Sequence, residues 1–127
     1  MSVGLVDTTV LIHLLRHYAS ALTWYGSQSQ RLSLASMTWL EVMQGAPNKT
    51  HQARYKILLS QFELIYITAN DQTWGMSQLE RFQFSHHIGM NDCLIAAVAY
   101  RMQVPLYTHN LKDMSPMLGA LAVQPYT

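Results

Sequence analysis

Apolar positions along the chain fall into short runs separated by amphipathic stretches. Residues 2–6 are an apolar run closed by Asp7, the pattern of a short buried strand. Between residues 8 and 17 the apolar positions include 10, 11, 14 and 15, a helical stripe. Residues 20–30 are polar and rich in Ser and Gln, which reads as a helix end and a loop. Residues 31–35 form a second strand. Thr38 opens a helix with Glu41 three residues on, a capping-box spacing. That helix stops near Gly45 and Pro47. Residues 50–61 predict another helix, with Ala53, Ile57, Leu58 and Phe62 on one face. Residues 62–68 are apolar and β-branched, a third strand. Asn70 or Asp71 caps a helix that runs to about Ser85. Residues 86–90 are a loop containing Gly89. Asn91 or Asp92 opens a strongly apolar helix over residues 93–102, and residues 104–108 form a fourth strand. Residues 111–118 read as a loop or short helical turn broken by Pro116, and residues 120–123 as a small edge strand.

Strands that alternate with helices predict βαβ units. The strand candidates are almost continuously apolar, as strands buried on both faces must be. The fold class expected is α/β, a central mainly parallel sheet of four to five strands with helices on both faces. No internal repeat, low-complexity segment or linker is evident, and 127 residues suit one domain.

Composition narrows the function. Charged residues make up 12% of the chain, against a usual share of about 25%. The net charge is +1 and half the residues are hydrophobic, which excludes a disordered tail or a histone-like basic protein. One cysteine, Cys93, excludes an internal disulfide and favours a reducing compartment. Asp7 interrupts the first apolar stretch before it reaches signal-peptide length, and no run approaches a membrane span. The expectation is a soluble cytoplasmic protein.

Beside Asp71, a helix-cap candidate, the chain has six other acids. In open α/β sheets, sites form outside the carboxyl ends of the strands. Asp7 follows the first strand, Glu41 lies early in the helix after the second, Asp92 starts a helix, and Asp113 follows the fourth strand. Glu63 starts a strand and falls at the opposite edge, while Glu80 sits mid-helix. Clustered carboxylates repel unless a cation lies between them, and an all-oxygen set suits Mg²⁺ or Mn²⁺ rather than zinc. Singly, each acid has a plainer reading. Asp92 and Glu41 are of the kind that caps helices, and Asp113 suits a solvated loop. Asp7, abutting a buried strand, is harder to explain without a partner.

Four segments carry a resemblance. They are Leu5-Val6-Asp7-Thr8-Thr9-Val10-Leu11-Ile12, Ser36-Met37-Thr38-Trp39-Leu40-Glu41-Val42-Met43-Gln44-Gly45, Asn91-Asp92-Cys93-Leu94-Ile95-Ala96-Ala97-Val98-Ala99, and Leu106-Tyr107-Thr108-His109-Asn110-Leu111-Lys112-Asp113-Met114. In this order they resemble the motifs of PIN-domain ribonucleases, most closely the VapC-type toxins of bacterial toxin–antitoxin pairs. The resemblance spans nearly the whole chain. It implies a single PIN domain over residues 1–127, with the PIN-like α/β/α sandwich. It also implies Mg²⁺- or Mn²⁺-dependent hydrolysis of RNA phosphodiesters, without a protein nucleophile. Asp7, Glu41 and Asp92 would be metal ligands. Asp113 would be the fourth catalytic acid, and Asn110 a carbonyl ligand or water-positioning group. Thr8 and Thr108 would brace the cluster. VapC-like proteins form homodimers and bind a small VapB-like antitoxin whose tail blocks the acidic site. Some relatives cut tRNA, which makes tRNA a candidate substrate.

Setting the four site acids aside raises the remaining charge from +1 to +5. Lys49, His51, Arg54 and Lys56 are the densest cationic cluster and, with Lys112, are candidate RNA contacts. A solvated helix face is the plainer reading of that cluster. His86 and His87 read as polar loop, Trp24, Trp39 and Trp74 as core or interface, and Cys93 as a small core residue. Some of the eight methionines suit an oligomer or antitoxin interface. Two rival classes share features with the chain. A response-regulator receiver needs paired acids after the first strand, an Asp ending the third and a late Lys, none of which is present. A catalytically weak or inactive PIN module, kept for RNA or protein binding, is the alternative that Asn110 leaves open.

Overall fold

A computed structural model describes residues 4–127. Five strands form one sheet: β1 (Leu5–Val6), β2 (Ser33–Ala35), β3 (Glu63–Ile65), β4 (Leu106–Tyr107) and β5 (Ala122–Val123). Their order is β3-β2-β1-β4-β5 and every pair is parallel. Residues 2 and 3 of the first strand candidate lie outside the described residues. The helices are α1 (Thr8–Leu15), α2 (Ala19–Gly26), α3 (Ser36–Gln44), α4 (Lys49–Leu59), α5 (Ala69–His86), α6 (Met90–Met102) and α7 (Leu111–Leu118), and a 3₁₀ turn at Gly119–Leu121 precedes β5.

Alternation along the strands builds two cores. Leu5, Ala35 and Leu106 face one side with buried residues of α5, α6 and α7. Their neighbours Val6 and Leu34 face the other, with residues of α1, α2, α3 and α4. A period of two puts adjacent residues on opposite faces, so each short strand serves both layers. The product is the expected α/β/α sandwich, now with five strands, all parallel. Gly75 lets α5 and α6 pack closely, since a Cβ there would stand 3.3 Å from Leu94 Cδ2.

Several local expectations are corrected. Residues 19–26 are helical, because Trp24 packs edge-on against Tyr107 at 5.1 Å and Tyr25 against Phe62 at 5.4 Å. Tertiary burial outweighs the weak propensity of that stretch. Thr38 is not an N-cap. β2 runs directly into α3, Ala35 occupies the cap, and Thr38 is fully buried inside the helix. On α4 the buried residue is Leu59, while Ile57 is 67% exposed. The cap of α5 is Thr68, whose hydroxyl accepts from the Asp71 N–H at 3.1 Å while Asp71 Oδ2 accepts from the Thr68 N–H at 3.0 Å. Residues 111–118 form a continuous helix that contains Pro116, held by the burial of Met114, Met117 and Leu118.

Candidate active site

From β1 the chain moves outward through β2 and β3, then returns to place β4 and β5 on the other side. The switch point therefore lies between β1 and β4, the place where such sheets open a crevice at their carboxyl ends. Asp7 follows β1 there and Thr108 follows β4.

Asp7 is 2% exposed and Thr108 fully buried. The Thr108 hydroxyl donates to Asp7 Oδ2 at 2.7 Å, and the Thr9 hydroxyl donates to the same oxygen at 3.3 Å. Both hydroxyls are themselves oriented by the loop after β4. The Asn110 N–H donates to Thr108 Oγ1 at 2.9 Å, and the His109 N–H to Thr9 Oγ1 at 3.0 Å. One loop thus aims two donors at one carboxylate oxygen. Burial nevertheless pushes the Asp7 carboxyl above its ordinary range, because these bonds and the Thr8 backbone offset only part of the desolvation and Glu41 adds repulsion.

Glu41 comes from α3, and both of its oxygens are engaged. Oε1 accepts from Thr8 Oγ1 at 2.8 Å and Oε2 from Asn91 Nδ2 at 3.1 Å. These bonds tie α3 to the first turns of α1 and α6. Asp92 lies next to Asn91 in the first turn of α6. Its carboxyl is pushed up to about 7, first by burial and then by the charges of Asp7, Asp113 and Glu41. Asp113, in the first turn of α7, accepts from Asn110 Nδ2 at 3.2 Å through Oδ2.

The structure thus brings Asp7, Glu41, Asp92 and Asp113 into one electrostatic neighbourhood, with Thr8, Thr108 and Asn110 hydrogen-bonded among them. As they stand they share a field rather than a coordination sphere. Among the described residues, no three His, Cys, Asp or Glu side chains are close enough to hold one ion. The donor chemistry still fits a hard divalent cation, since the carboxylates repel one another and supply oxygen only. Thr38 lies one turn before Glu41, and its buried Oγ1 has no partner among the described residues.

Asn91 and Thr9 are functional candidates that sequence reasoning missed. Both sit inside the quoted motifs, but an amide and a hydroxyl next to an acid carry no spacing signal of their own. Of the cationic candidates, Arg54 lines a cleft that reaches Glu41. Lys49, Lys56 and Lys112 are exposed outside that cleft. His87 ends α5 in a left-handed conformation at φ 56°, and His86 contacts Ser85 Oγ at 2.8 Å. Trp24, Trp39 and Trp74 are partly buried, Trp74 stacking on Tyr100 at 4.8 Å. Cys93 is buried, and burial followed by the Asp92 charge pushes its thiol up to about 11.

Four acids, from the residue after β1 and from α3, α6 and α7, share one field at the carboxyl end of the sheet and define a class. The PIN-domain family model matches residues 4–112, and the chain belongs to the PIN-domain family, whose VapC-type members are nucleases. The chain is also similar to a chain of a toxin–antitoxin complex from Klebsiella pneumoniae, at 26% identity and a TM-score of 0.81, covering 97% of this chain and 98% of that one. It shares its fold with a chain of DNA-bound VapBC from Salmonella typhimurium (19% identity, TM-score 0.77, 94% and 95% covered). The same holds for the sarcin-ricin-loop-cleaving toxin VapC20 of Mycobacterium tuberculosis (14% identity, TM-score 0.73, 89% and 93% covered). No curated protein sequence matches the chain significantly.

Proposed function

We propose that the chain is a single-domain, divalent-metal-dependent endoribonuclease and the toxin of a toxin–antitoxin pair. The observation that carries this reading is the gathering of Asp7, Glu41, Asp92 and Asp113 at the carboxyl end of the sheet, where burial and the other three charges push the Asp92 carboxyl up to about 7. Such crowding destabilises the bare protein and is relieved by a cation, so it is the signature of a site built for one. Asp7, Glu41 and Asp92 would hold Mg²⁺ or Mn²⁺, with Asp113 as the fourth acid. A bound ion of this kind supplies an activated water and neutralises charge developing on a phosphodiester. The chain's own part is positional. Thr9 and Thr108 hold Asp7, Thr8 and Asn91 hold Glu41, and Asn110 holds Asp113. Cationic side chains, including Lys49, Arg54, Lys56 and Lys112, would meet RNA phosphates.

The partners follow the same reading: an RNA, tRNA among the candidates, a VapB-like antitoxin and a second copy of the chain. Exposed Met76 (64%), Phe84 (85%) and Met90 (68%) on α5 and α6 are apolar surface of the kind a protein partner covers. The relative from Klebsiella pneumoniae, similar over nearly its whole length, comes from a toxin–antitoxin complex. No helix among the described residues is long and apolar enough to cross a membrane, and the cytoplasm is the proposed location.

The test is to map RNA 5′ ends after brief induction of the wild type and of Asp92→Asn. New ends that depend on Asp92 are expected, and a single dominant site would name the substrate. Identical maps would overturn the ribonuclease reading. In vitro, Mg²⁺ and Mn²⁺ titrations should activate the wild type and leave Glu41→Gln inert. Silence from both proteins would favour a binding module.

A further inference from the structure

A cleft of about 310 Å³ lies between α1, α3 and α4, with Glu41 in its lining. Apolar Ile12 and Leu15 line it together with Arg16, His51, Arg54 and Tyr55. Three features set it apart from a solvated helix face. First, its arginines come from separate elements: Arg16 caps the C-terminus of α1, while Arg54 lies on α4. Second, neither arginine has an ion-pair partner among the described residues, where the Asp71–Arg101 contact is the sole salt bridge. Third, the cationic side is partly preset. His51 Nδ1 donates to Asn48 Oδ1 at 2.9 Å, which orients the ring with Nε2 as an acceptor, and the Arg54 guanidinium sits 5.8 Å from the Tyr55 ring centre.

We propose that this cleft is the subsite for one nucleotide of single-stranded RNA flanking the bond that is cut. Arg16 and Arg54 contact its phosphate, and its sugar and base lie against Ile12, Leu15 and Tyr55, where His51 Nε2 accepts a hydrogen bond from them. The volume is at the lower end of the ~300–1,000 Å³ found for small-ligand pockets, which suits one splayed nucleotide and not a duplex. An isolated carboxylate cluster repels a polyanion, so phosphate-binding charge must lie next to it, and here it does. Arg54 is thereby separated from Lys49 and Lys56 of the same helix, which lie outside the cleft, and Arg16 joins the site from a different element.

The proposal rests on the ribonuclease reading, and its test keeps the two apart. A fluorescein-labelled pool of random-sequence single-stranded RNA 12-mers is titrated against Asp92→Asn protein in Mg²⁺, so that the probe is bound and not consumed. Arg16→Gln, Arg54→Gln and the control Arg81→Gln, on α5, are added to that background. Loss of each cleft arginine should weaken binding about tenfold at 50 mM salt. It should also make the log–log salt dependence shallower by about 0.7, the value for one single-strand phosphate contact. Arg81→Gln should change neither. Equal affinity and slope for the cleft variants and Arg81→Gln would overturn the subsite. If the cleft variants lose binding to a co-expressed protein partner while binding RNA normally, the cleft is a protein-docking surface and the proposal also fails. The ribonuclease reading fails separately, if wild-type protein in Mg²⁺ or Mn²⁺ cuts no RNA.

Discussion

Asp92→Asn should stabilise the metal-free protein, and the gain should grow with pH. The carboxyl stands at about 7 against an ordinary value of 3.8. The native state therefore keeps a proton that the unfolded chain releases, and stability falls as pH rises between those two values. Below about pH 4 both states are protonated and the term vanishes. Above about pH 7 it is fully present. A displacement of about three units corresponds to about 4 kcal/mol, and this is a ceiling because Asp7, Glu41 and Asp113 titrate with Asp92. Half of that, about 2 kcal/mol, would raise the melting temperature of a chain this size by roughly 8 °C. The assay is thermal unfolding in EDTA at pH 4 and pH 8, with urea unfolding at both pH values to supply free energies. The stability difference between variant and wild type should be about 2 kcal/mol or more larger at pH 8 than at pH 4. Saturating Mg²⁺ at pH 8 should raise the wild type and reverse the order. A gain that is absent at pH 8, or equal at both pH values, would refute the crowded-carboxylate account.

Other expectations concern residues around that centre. Thr108→Val removes the 2.7 Å bond to Asp7, and RNA cleavage should fall about 10- to 100-fold, in step with Mg²⁺ affinity measured by calorimetry. Asp71→Asn should lower stability at pH 7 by about 1–3 kcal/mol in urea unfolding. Burial alone would raise the Asp71 carboxyl, but Arg101 and the Thr68 bonds bring it below its ordinary value. Its contribution is therefore present above about pH 4 and lost as pH falls through the lower folded value, so the loss in the variant should shrink in acid. Cys93, with its thiol near 11, should resist a thiol-specific reagent at pH 8 in the native protein and react at once in urea.

The sheet was legible from sequence because its strands are apolar on both faces and punctuated by acids and turns. The convergence of Asp7, Glu41, Asp92 and Asp113 at one edge was legible because the ends of strands and starts of helices decide which residues meet there. The rest was not, for identifiable reasons. α2 is written in residues that are helical only once Trp24 and Tyr25 find Tyr107 and Phe62. Thr38 and Glu41 have the spacing of a capping box, but β2 enters α3 without a loop, so the first helical residue is Ser36 and the hydroxyl is buried. A true box formed at Thr68 and Asp71 instead. Asn110 read as a carbonyl ligand or water-positioning group; its amide nitrogen donates to Asp113 and its backbone N–H to Thr108, which leaves its side-chain carbonyl oxygen free among the described residues. Those two bonds depend on the turn between β4 and α7, which no local pattern encodes.

Asp7 and Asp71 show how the fold separates structure from function. Both are 2% exposed, and both accept two close hydrogen-bond donors or more. Their carboxyls move in opposite directions, Asp71 downward and Asp7 upward. The difference is the neighbour's charge. Asp71 receives a guanidinium, with Arg101 Nε at 2.9 Å, while Asp7 receives neutral hydroxyls and faces a second carboxylate. Burying an acid beside an acid is unfavourable unless a cation joins them. The 108–110 loop, with Thr9, aims donors at one oxygen of Asp7, which positions the carboxylate without neutralising it. An arginine in the same place would stabilise the bare fold and compete with any cation for the carboxylate. Hydroxyls and amides at Asp7, Glu41 and Asp113 hold the acids in place without a counter-charge, which at the proposed metal site would leave that charge for a cation.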